Sequence, residues 1–319
     1  MQKLALNELE CLLEAWDFNV QPQLTSIQDE QFLTFETQHM TDDAWHALSC
    51  HSGICLAAEL RDNALIPLLR YKAQYLPDDL PQILKYKGKT NSDFTFMLLH
   101  CAKAASAFAR EQAPLCVLDP LCGKATTLFC ALQEGDNAIG VELDAKAIAE
   151  ADVYFERFLQ FHRVKHKRVQ GSQTLPRAAS ARTLTYTLAS SAQSMKQGDT
   201  RSLCLIHGDT TRLQDLVRAQ SVHLIVGDLP YGVQHAAKGE GGMSSLLKLS
   251  QAMLPACEKA LKHGGAIALS FNTNTLRKED LARLMREAGI EVLDRQPYHD
   301  FSHWVEQAVE RDVLIGIKE

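Results

Sequence analysis

Four carboxylates stand at, or just past, the ends of short apolar runs. Asp119 follows Leu115 to Leu118, Glu142 follows Ala138 to Val141, Asp209 follows Leu203 to Ile206, and Asp228 follows His223 to Val226. Runs of this length read as buried strands, and the carboxyl ends of strands in an open parallel sheet, with the N–H groups that open the next helix, make a polar crevice. The first turn, Leu118-Asp119-Pro120-Leu121-Cys122-Gly123-Lys124-Ala125-Thr126-Thr127, lacks the three-glycine spacing that cradles a pyrophosphate. With Asp119 in it, the turn suits a cationic ligand, such as the aminopropyl group and sulfonium of S-adenosylmethionine. Glu142, in Gly140-Val141-Glu142-Leu143-Asp144, lies 23 residues after Asp119, the separation at which a carboxylate takes two ribose hydroxyls. Asp209, in His207-Gly208-Asp209, can accept from an adenine amino group. Taken singly, each acid reads equally well as a strand-end cap.

The segment Ile225-Val226-Gly227-Asp228-Leu229-Pro230-Tyr231-Gly232 joins an apolar strand to a carboxylate, a proline-stiffened turn and an aromatic ring. An exocyclic amine can donate one hydrogen to Asp228 and the other to the Leu229 carbonyl, which leaves its lone pair aimed at a methyl donor. Tyr231 can stack on the ring that carries the amine. Alone, such a tetrapeptide is a plain turn; two strands beyond an adenosine-type crevice, it reads as a site.

These residues need a scaffold, and the chain spells one out. From about residue 86, strand and helix patterns alternate: helices at about Ser92 to Arg110, Thr126 to Gln133, Ala145 to about Phe161 and Ser244 to Lys262, with the apolar strands between them and Ala266 to Phe271. Alternation of this kind gives a parallel sheet covered by helices. Glu291 to Asp294 and Asp312 to Ile317 have no long helix between them and predict an antiparallel pair at one edge. Ahead of this, residues 1–85 read as a small α+β domain, which opens on an amphipathic helix over Lys3 to Trp16.

Composition narrows the function classes. The 319 residues are 46% hydrophobic and 23% charged, with 17 Gly and 10 Pro, so collagenous and disordered chains are excluded. No apolar run approaches a membrane span, and Glu8, Glu10, Glu14 and Asp17 stand where a signal peptide would be basic and then apolar, so a soluble, cytoplasmic protein is expected. Nine cysteines with no Cys-x-x-Cys pair predict reduced thiols and no metal; Cys122 reads as a packing residue. The net charge is -6, but it is uneven. Residues 1–84 carry thirteen acids against four bases, whereas 158–198 carry seven bases and no acid.

The order and spacing of these motifs resemble the class I S-adenosylmethionine-dependent methyltransferases. Asp228-Leu229-Pro230-Tyr231 resembles the Asp/Asn-Pro-Pro-Tyr signature of those that act on exocyclic amines, the tRNA guanine-N2 methyltransferases in particular. The resemblance spans about residues 86–319. It includes Lys87-Gly88-Lys89-Thr90-Asn91 and Leu261-Lys262-His263-Gly264-Gly265. It implies a Rossmann-like α/β fold with a seven-stranded sheet, and S-adenosyl-L-methionine as cofactor. Asp119, Pro120, Cys122, Gly123, Thr126 and Thr127 would border the methionine part, Glu142 and Leu143 the ribose, Asp209 and Thr210 the adenine, and Lys89, Thr90 and Phe94 the outer wall. Asp228, with Leu229, Pro230 and Tyr231, would carry the chemistry. Two positions depart from the pattern: Ala125 stands where the family has a small glycine and needs a negative φ, and Leu229 replaces the first proline while keeping the needed carbonyl.

The resemblance names the acceptor as guanine N2 or adenine N6 in structured RNA such as tRNA, with no membrane or metal partner and a homodimer left open. A small-molecule or protein acceptor, or a binding scaffold without catalysis, are the alternatives. Arg163, Lys165, Lys167 and Arg168, in a basic insertion over about 162–200 with Arg177 and Arg182, are the expected polyanion contacts, or else they complement the C-terminal end of a helix over 145–168. Thr183 to Leu188 reads as one strand of a hairpin in that insertion. Phe301, His303 and Trp304, in Tyr298-His299-Asp300-Phe301-Ser302-His303-Trp304, offer a stacking platform or simply edge packing. Gly239-Glu240-Gly241-Gly242 reads as a lid.

Overall fold

The structure is a computed structural model and describes residues 2–62, 64–71, 74–83, 90–176, 180–230, 242–307 and 309–319. Lys89, Arg177, Tyr231 and most of the expected lid, Gly239 to Gly241, lie outside the described residues.

The N-terminal part comprises α1 (Gln2–Ala15), the hairpin β1 (Gln23–Ile27) and β2 (Glu30–Thr34), α2 (Asp42–Ser49), the hairpin β3 (Ala58–Arg61) and β4 (Ala64–Pro67), and the single turn α3 (Leu80–Ile83). Its first helix is amphipathic, and Leu4 and Cys11 enter the same core as Met97, Leu98 and Cys101 of α4 (Ser92–Ala105). Asn91 caps α4, its side chain accepting from the Asp93 N–H at 2.7 Å.

Then come β5 (Cys116–Asp119), α5 (Thr126–Glu134), β6 (Asn137–Glu142), α6 (Ala145–Phe161), β7 (Lys165–Gln173), β8 (Ala181–Ala189), α7 (Ala192–Gln197), β9 (Arg201–His207) and α8 (Leu213–Leu216). The chain closes with β10 (Val222–Asp228), α9 (Gly242–Ala260), β11 (Leu261–Asn272), α10 (Lys278–Glu287), β12 (Glu291–Val292), β13 (His303–Glu306) and β14 (Val309–Ile317). One sheet runs β12-β14-β11-β10-β5-β6-β9-β8-β7, with β13 on β14. The expected seven strands are all present, β5, β6, β9, β10 and β11 parallel and β14 antiparallel between β11 and β12. The β7–β8 hairpin widens the sheet beyond β9. Helices α4 to α6 bury one face and α8 to α10 the other, each over a continuous apolar cluster.

Four local readings differ from the sequence. Helix α4 ends at Ala105, short of the expected Arg110, because Ser106 is already extended. The helix from Ala145 stops at Phe161, and Lys165 to Arg168 belong to an edge strand, so they do not complement a helix end. Helix α9 ends at Ala260, two residues earlier than its apolar spacing suggested, because Leu261 is already paired with Val222. Ala125 adopts φ +71° rather than a negative angle. An L-residue held there costs about 1 kcal/mol, and an added Gly would relieve it. Ala125→Gly is therefore expected to raise stability by up to about 1 kcal/mol, read as a higher urea midpoint; a lower midpoint would show that the fully buried methyl packs too well to lose.

Candidate active site

The connections leave β5 and β10 in opposite directions, to β6 on one side and β11 on the other, although these two strands are hydrogen-bonded neighbours. Such a switch point opens a crevice outside the carboxyl ends of the strands. Asp119 ends β5 and Asp228 ends β10, one on each side of it, and Glu142 ends the adjacent β6.

Asp119 is 3% exposed, and its Oδ1 accepts the Leu121 N–H at 3.0 Å. Burial pushes its pKa up to about 7, the nearby charges of Glu142 and Asp228 add to that, and hydrogen bonds from Thr127 and Leu121 oppose it. A cation entering the crevice must meet the ionised form. Affinity for a cationic ligand there is thus expected to fall about tenfold per pH unit below 7 and to level off above it, with Asp119→Asn abolishing the slope; a flat titration calorimetry profile from pH 5.5 to 8 would refute this. For folding stability the sign is opposite. A raised folded pKa means that the fold loses stability as pH climbs from 3.8 towards 7, and a bound cation removes that loss.

Glu142 is fixed by two backbone donors, the Gly123 N–H at 2.9 Å and the Asp144 N–H at 2.7 Å. Gly123 has φ +50° and open space where a Cβ would be, so glycine serves the turn's conformation there. Cys122 packs against Gly140, where a Cβ would sit 2.7 Å from its sulfur. Burial holds its thiol well above the usual range, which makes it packing and not a nucleophile. Pro120, Thr126 and Thr127 are buried around it, and Leu143 stands 68% exposed at the rim. Asp209 turns the chain after β9, its Oδ1 accepting from the Thr211 N–H at 2.9 Å and the Thr211 hydroxyl at 2.8 Å. The Thr210 hydroxyl beside it is buried without a partner.

Across the crevice the Asp228 carboxylate accepts from the Thr90 hydroxyl and the Ser270 hydroxyl, each at 2.5 Å, with Arg311 Nη2 3.8 Å from Oδ2. The Leu229 N–H is bound to the Ser270 carbonyl at 2.8 Å, which holds the turn to β11; Leu229 is buried and Pro230 exposed. The Arg311 guanidinium lies 4.4 Å from the Phe94 ring centroid, and the His303 ring 5.2 Å from it. Burial, first, and then Arg311 keep His303 below its ordinary pKa, so it is neutral at pH 7. Ser270 and Arg311 escaped sequence reasoning. A serine closing an otherwise apolar strand was the one available signal, since both residues reach Asp228 only through sheet pairing.

The aromatic platform does not assemble. Phe301 is fully buried in the main core, and His303 and Trp304, as neighbours on β13, point to opposite faces. Trp304 is 73% exposed. Of the basic run, Arg163, Lys165 and Lys167 are exposed, whereas Arg168 is paired with Asp152 at 2.7 and 3.0 Å, pinning the hairpin to α6. Among the described residues no cluster of three His, Cys, Asp or Glu could hold a metal, and no helix is long and apolar enough to cross a membrane.

No family model matches the chain, and no curated protein matches it. Among solved structures, a TehB-like SAM-dependent methyltransferase from Corynebacterium glutamicum is 16% identical over 66% of this chain and 84% of its own, with a TM-score of 0.38. TrmN from Thermus thermophilus is 18% identical over 73% and 50%, with a TM-score of 0.42. The 16S rRNA N2-G methyltransferase RsmC from the same organism, in complex with AdoMet and guanosine, is 16% identical over 73% and 44%, with a TM-score of 0.40. This chain spans about half the length of the last two. Resemblances of this size say nothing of function.

Proposed function

We propose that the protein is an S-adenosylmethionine-dependent methyltransferase acting on an exocyclic purine amine, guanine N2 or adenine N6, in structured RNA such as tRNA. The observation that supports this most is the placing of Asp119, Glu142 and Asp228 around one switch point, with Asp228 held by two hydroxyl donors. The residues fit the cofactor: Asp119 is a buried carboxyl ready for a cation, Glu142 is a fixed acceptor for hydroxyls, and the unpartnered Thr210 hydroxyl adjoins Asp209 at the adenine side. When bound, the cofactor supplies an electrophilic methyl group on a sulfonium.

The chain's own part is positional. The Asp228 carboxylate, oriented by the Thr90 and Ser270 hydroxyls, takes one amine hydrogen. The Leu229 carbonyl takes the second hydrogen, and the nitrogen lone pair is left pointing away from both. No base is required before attack, because the amine proton turns acidic only once nitrogen is alkylated. The neutral His303 stands near enough to Phe94 and Arg311 to receive that proton through solvent afterwards.

The net charge of -6 favours a second reading, with a small molecule or a protein as acceptor. Transfer of a labelled methyl group to small RNA, beside the protein and small-molecule fractions of the same extract, decides between them. Label in RNA supports the proposal, and label only elsewhere discards the RNA acceptor. A scaffold without catalysis would label nothing, and it has no use for a carboxylate held as Asp228 is.

A further inference from the structure

The helices leave part of the sheet bare. Between β9 and β10 the only helix longer than three residues is the four-residue α8, and with Leu175 it packs over the row of Val141 and Ile206. Below that row, Lys167, Thr187 and Ser202 are cross-strand partners on β7, β8 and β9, and Val169, Thr185 and Cys204 form the next row. Lys167 and Val169 are exposed and the other four partly so, whereas Leu184, Tyr186 and Leu188 on the opposite face are buried. The β7–β9 part of the sheet is antiparallel, and an antiparallel sheet commonly keeps one face clear of helices, so this surface is open to a partner.

Its chemistry selects the occupant. The rows hold hydroxyls, a thiol, one valine and a lysine, Lys165 extends the edge, and residues 158–198 contain no carboxylate. Hydroxyl and ammonium donors without acids suit phosphate and ribose oxygens. No aromatic ring lies in the rows, so splayed single-stranded bases have nothing to stack on. What remains is an A-form duplex recognised by its backbone and 2′-hydroxyls.

The surface also has a fixed relation to the crevice. Glu142 is level with His207, His207 with Arg182, and Arg182 with Ser172. Lys165 lies seven residues down β7 from Ser172, about 24 Å at 3.4 Å per residue. We propose that this face of the β7–β9 region docks the double-helical stem of the RNA acceptor, with Lys165 and Lys167 on phosphates roughly 30 Å from the nucleotide in the crevice, since five strand spacings of about 4.8 Å between β7 and β10 add to that rise. The proposal rests on the RNA reading above and adds which part of the RNA is held, and where.

The test compares wild type with Lys165→Gln/Lys167→Gln by fluorescence anisotropy over a salt series. The probes are a labelled RNA hairpin with a stem of one helical turn, the same strand without its complement, and poly-L-glutamate. The expected result is preference for the hairpin, about tenfold weaker hairpin binding by the double variant, and a log–log salt slope shallower by about 2. S-adenosylmethionine affinity and melting temperature should not move, since both lysines are exposed and distant from the crevice. Hairpin binding identical in both proteins overturns the docking face and leaves the RNA acceptor standing. No RNA binding by wild type overturns the RNA acceptor itself. Binding of poly-L-glutamate alone, lost in the double variant, assigns the surface to an acidic polypeptide and overturns the proposal.

Discussion

Asp228→Ala is expected to lower methyl transfer at least about a thousandfold while cofactor affinity stays within about threefold. In the proposed arrangement the carboxylate takes one amine hydrogen while Thr90 and Ser270 fix its two oxygens. Alanine leaves those hydroxyls without their acceptor and Arg311 with one counter-charge fewer at 3.8 Å. Asp228→Asn, which keeps one acceptor oxygen and the shape, should fall between alanine and wild type. Label transfer and calorimetric cofactor titration on the same preparations check this. Equal losses of turnover and of cofactor binding would place Asp228 in the cofactor site instead and sink its catalytic assignment.

Glu8→Ala should cost about 3–5 kcal/mol of stability, the range for stranding one partner of a buried ionic pair. Glu8 is fully buried, with His100 Nδ1 at 2.6 Å, the Ser52 N–H at 2.8 Å and the Ser52 hydroxyl at 2.5 Å; His100 Nε2 in turn meets Glu134 at 2.5 Å. Burial works against charge on both, yet hydrogen bonding to His100, with the charge of His51, holds Glu8 below its usual pKa. Glu134, ahead of Glu8, holds His100 well above its own. The two contributions have opposite pH signs. That of Glu8 is present above 4.5 and is lost as pH falls through its lowered pKa; that of His100 is complete below 6.5 and fades as pH rises above it. Urea midpoints should therefore be highest between about pH 4.5 and 6.5 for this cluster. Replacing Glu8 and His100 together by leucine should cost less than the two single losses combined, because no lone charge is then left inside. Additive losses would show that the pair is not coupled.

The strands of the parallel sheet and the four strand-end acids were legible in the sequence because buried parallel strands are short apolar runs and a carboxylate at their ends interrupts the pattern sharply. The start of α4 at Ser92 was legible for a similarly local reason. What escaped depends on partners far along the chain. Lys165 to Gln173 has little strand character of its own and is a strand only because all nine residues pair with β8. Ser270 and Arg311 reach Asp228 across sheet register, and Phe301 was separable from Trp304 only once the fold had buried the first ahead of β13 and left the second exposed on it. The amphipathic helix over the first residues was visible. That its buried face is completed by residues of α4, and its polar flank by Asp300 and Arg295, was not.

This last pairing bears on how the molecule is made. Lys3 and Asn7 bind Asp300, and Lys3 lies 297 positions before its partner. At 5–20 residues per second on the ribosome, α1 waits roughly 15–60 s for that partner to be synthesised. Through that interval Leu4 and Cys11 lack the later strands of the core they enter, whereas Leu9, Leu12 and Leu13 pack with Leu48 in a cluster complete once residue 48 is made, so the Leu4 and Cys11 side of the opening helix is a natural holding point for chaperones and the last part of it to become protease-resistant.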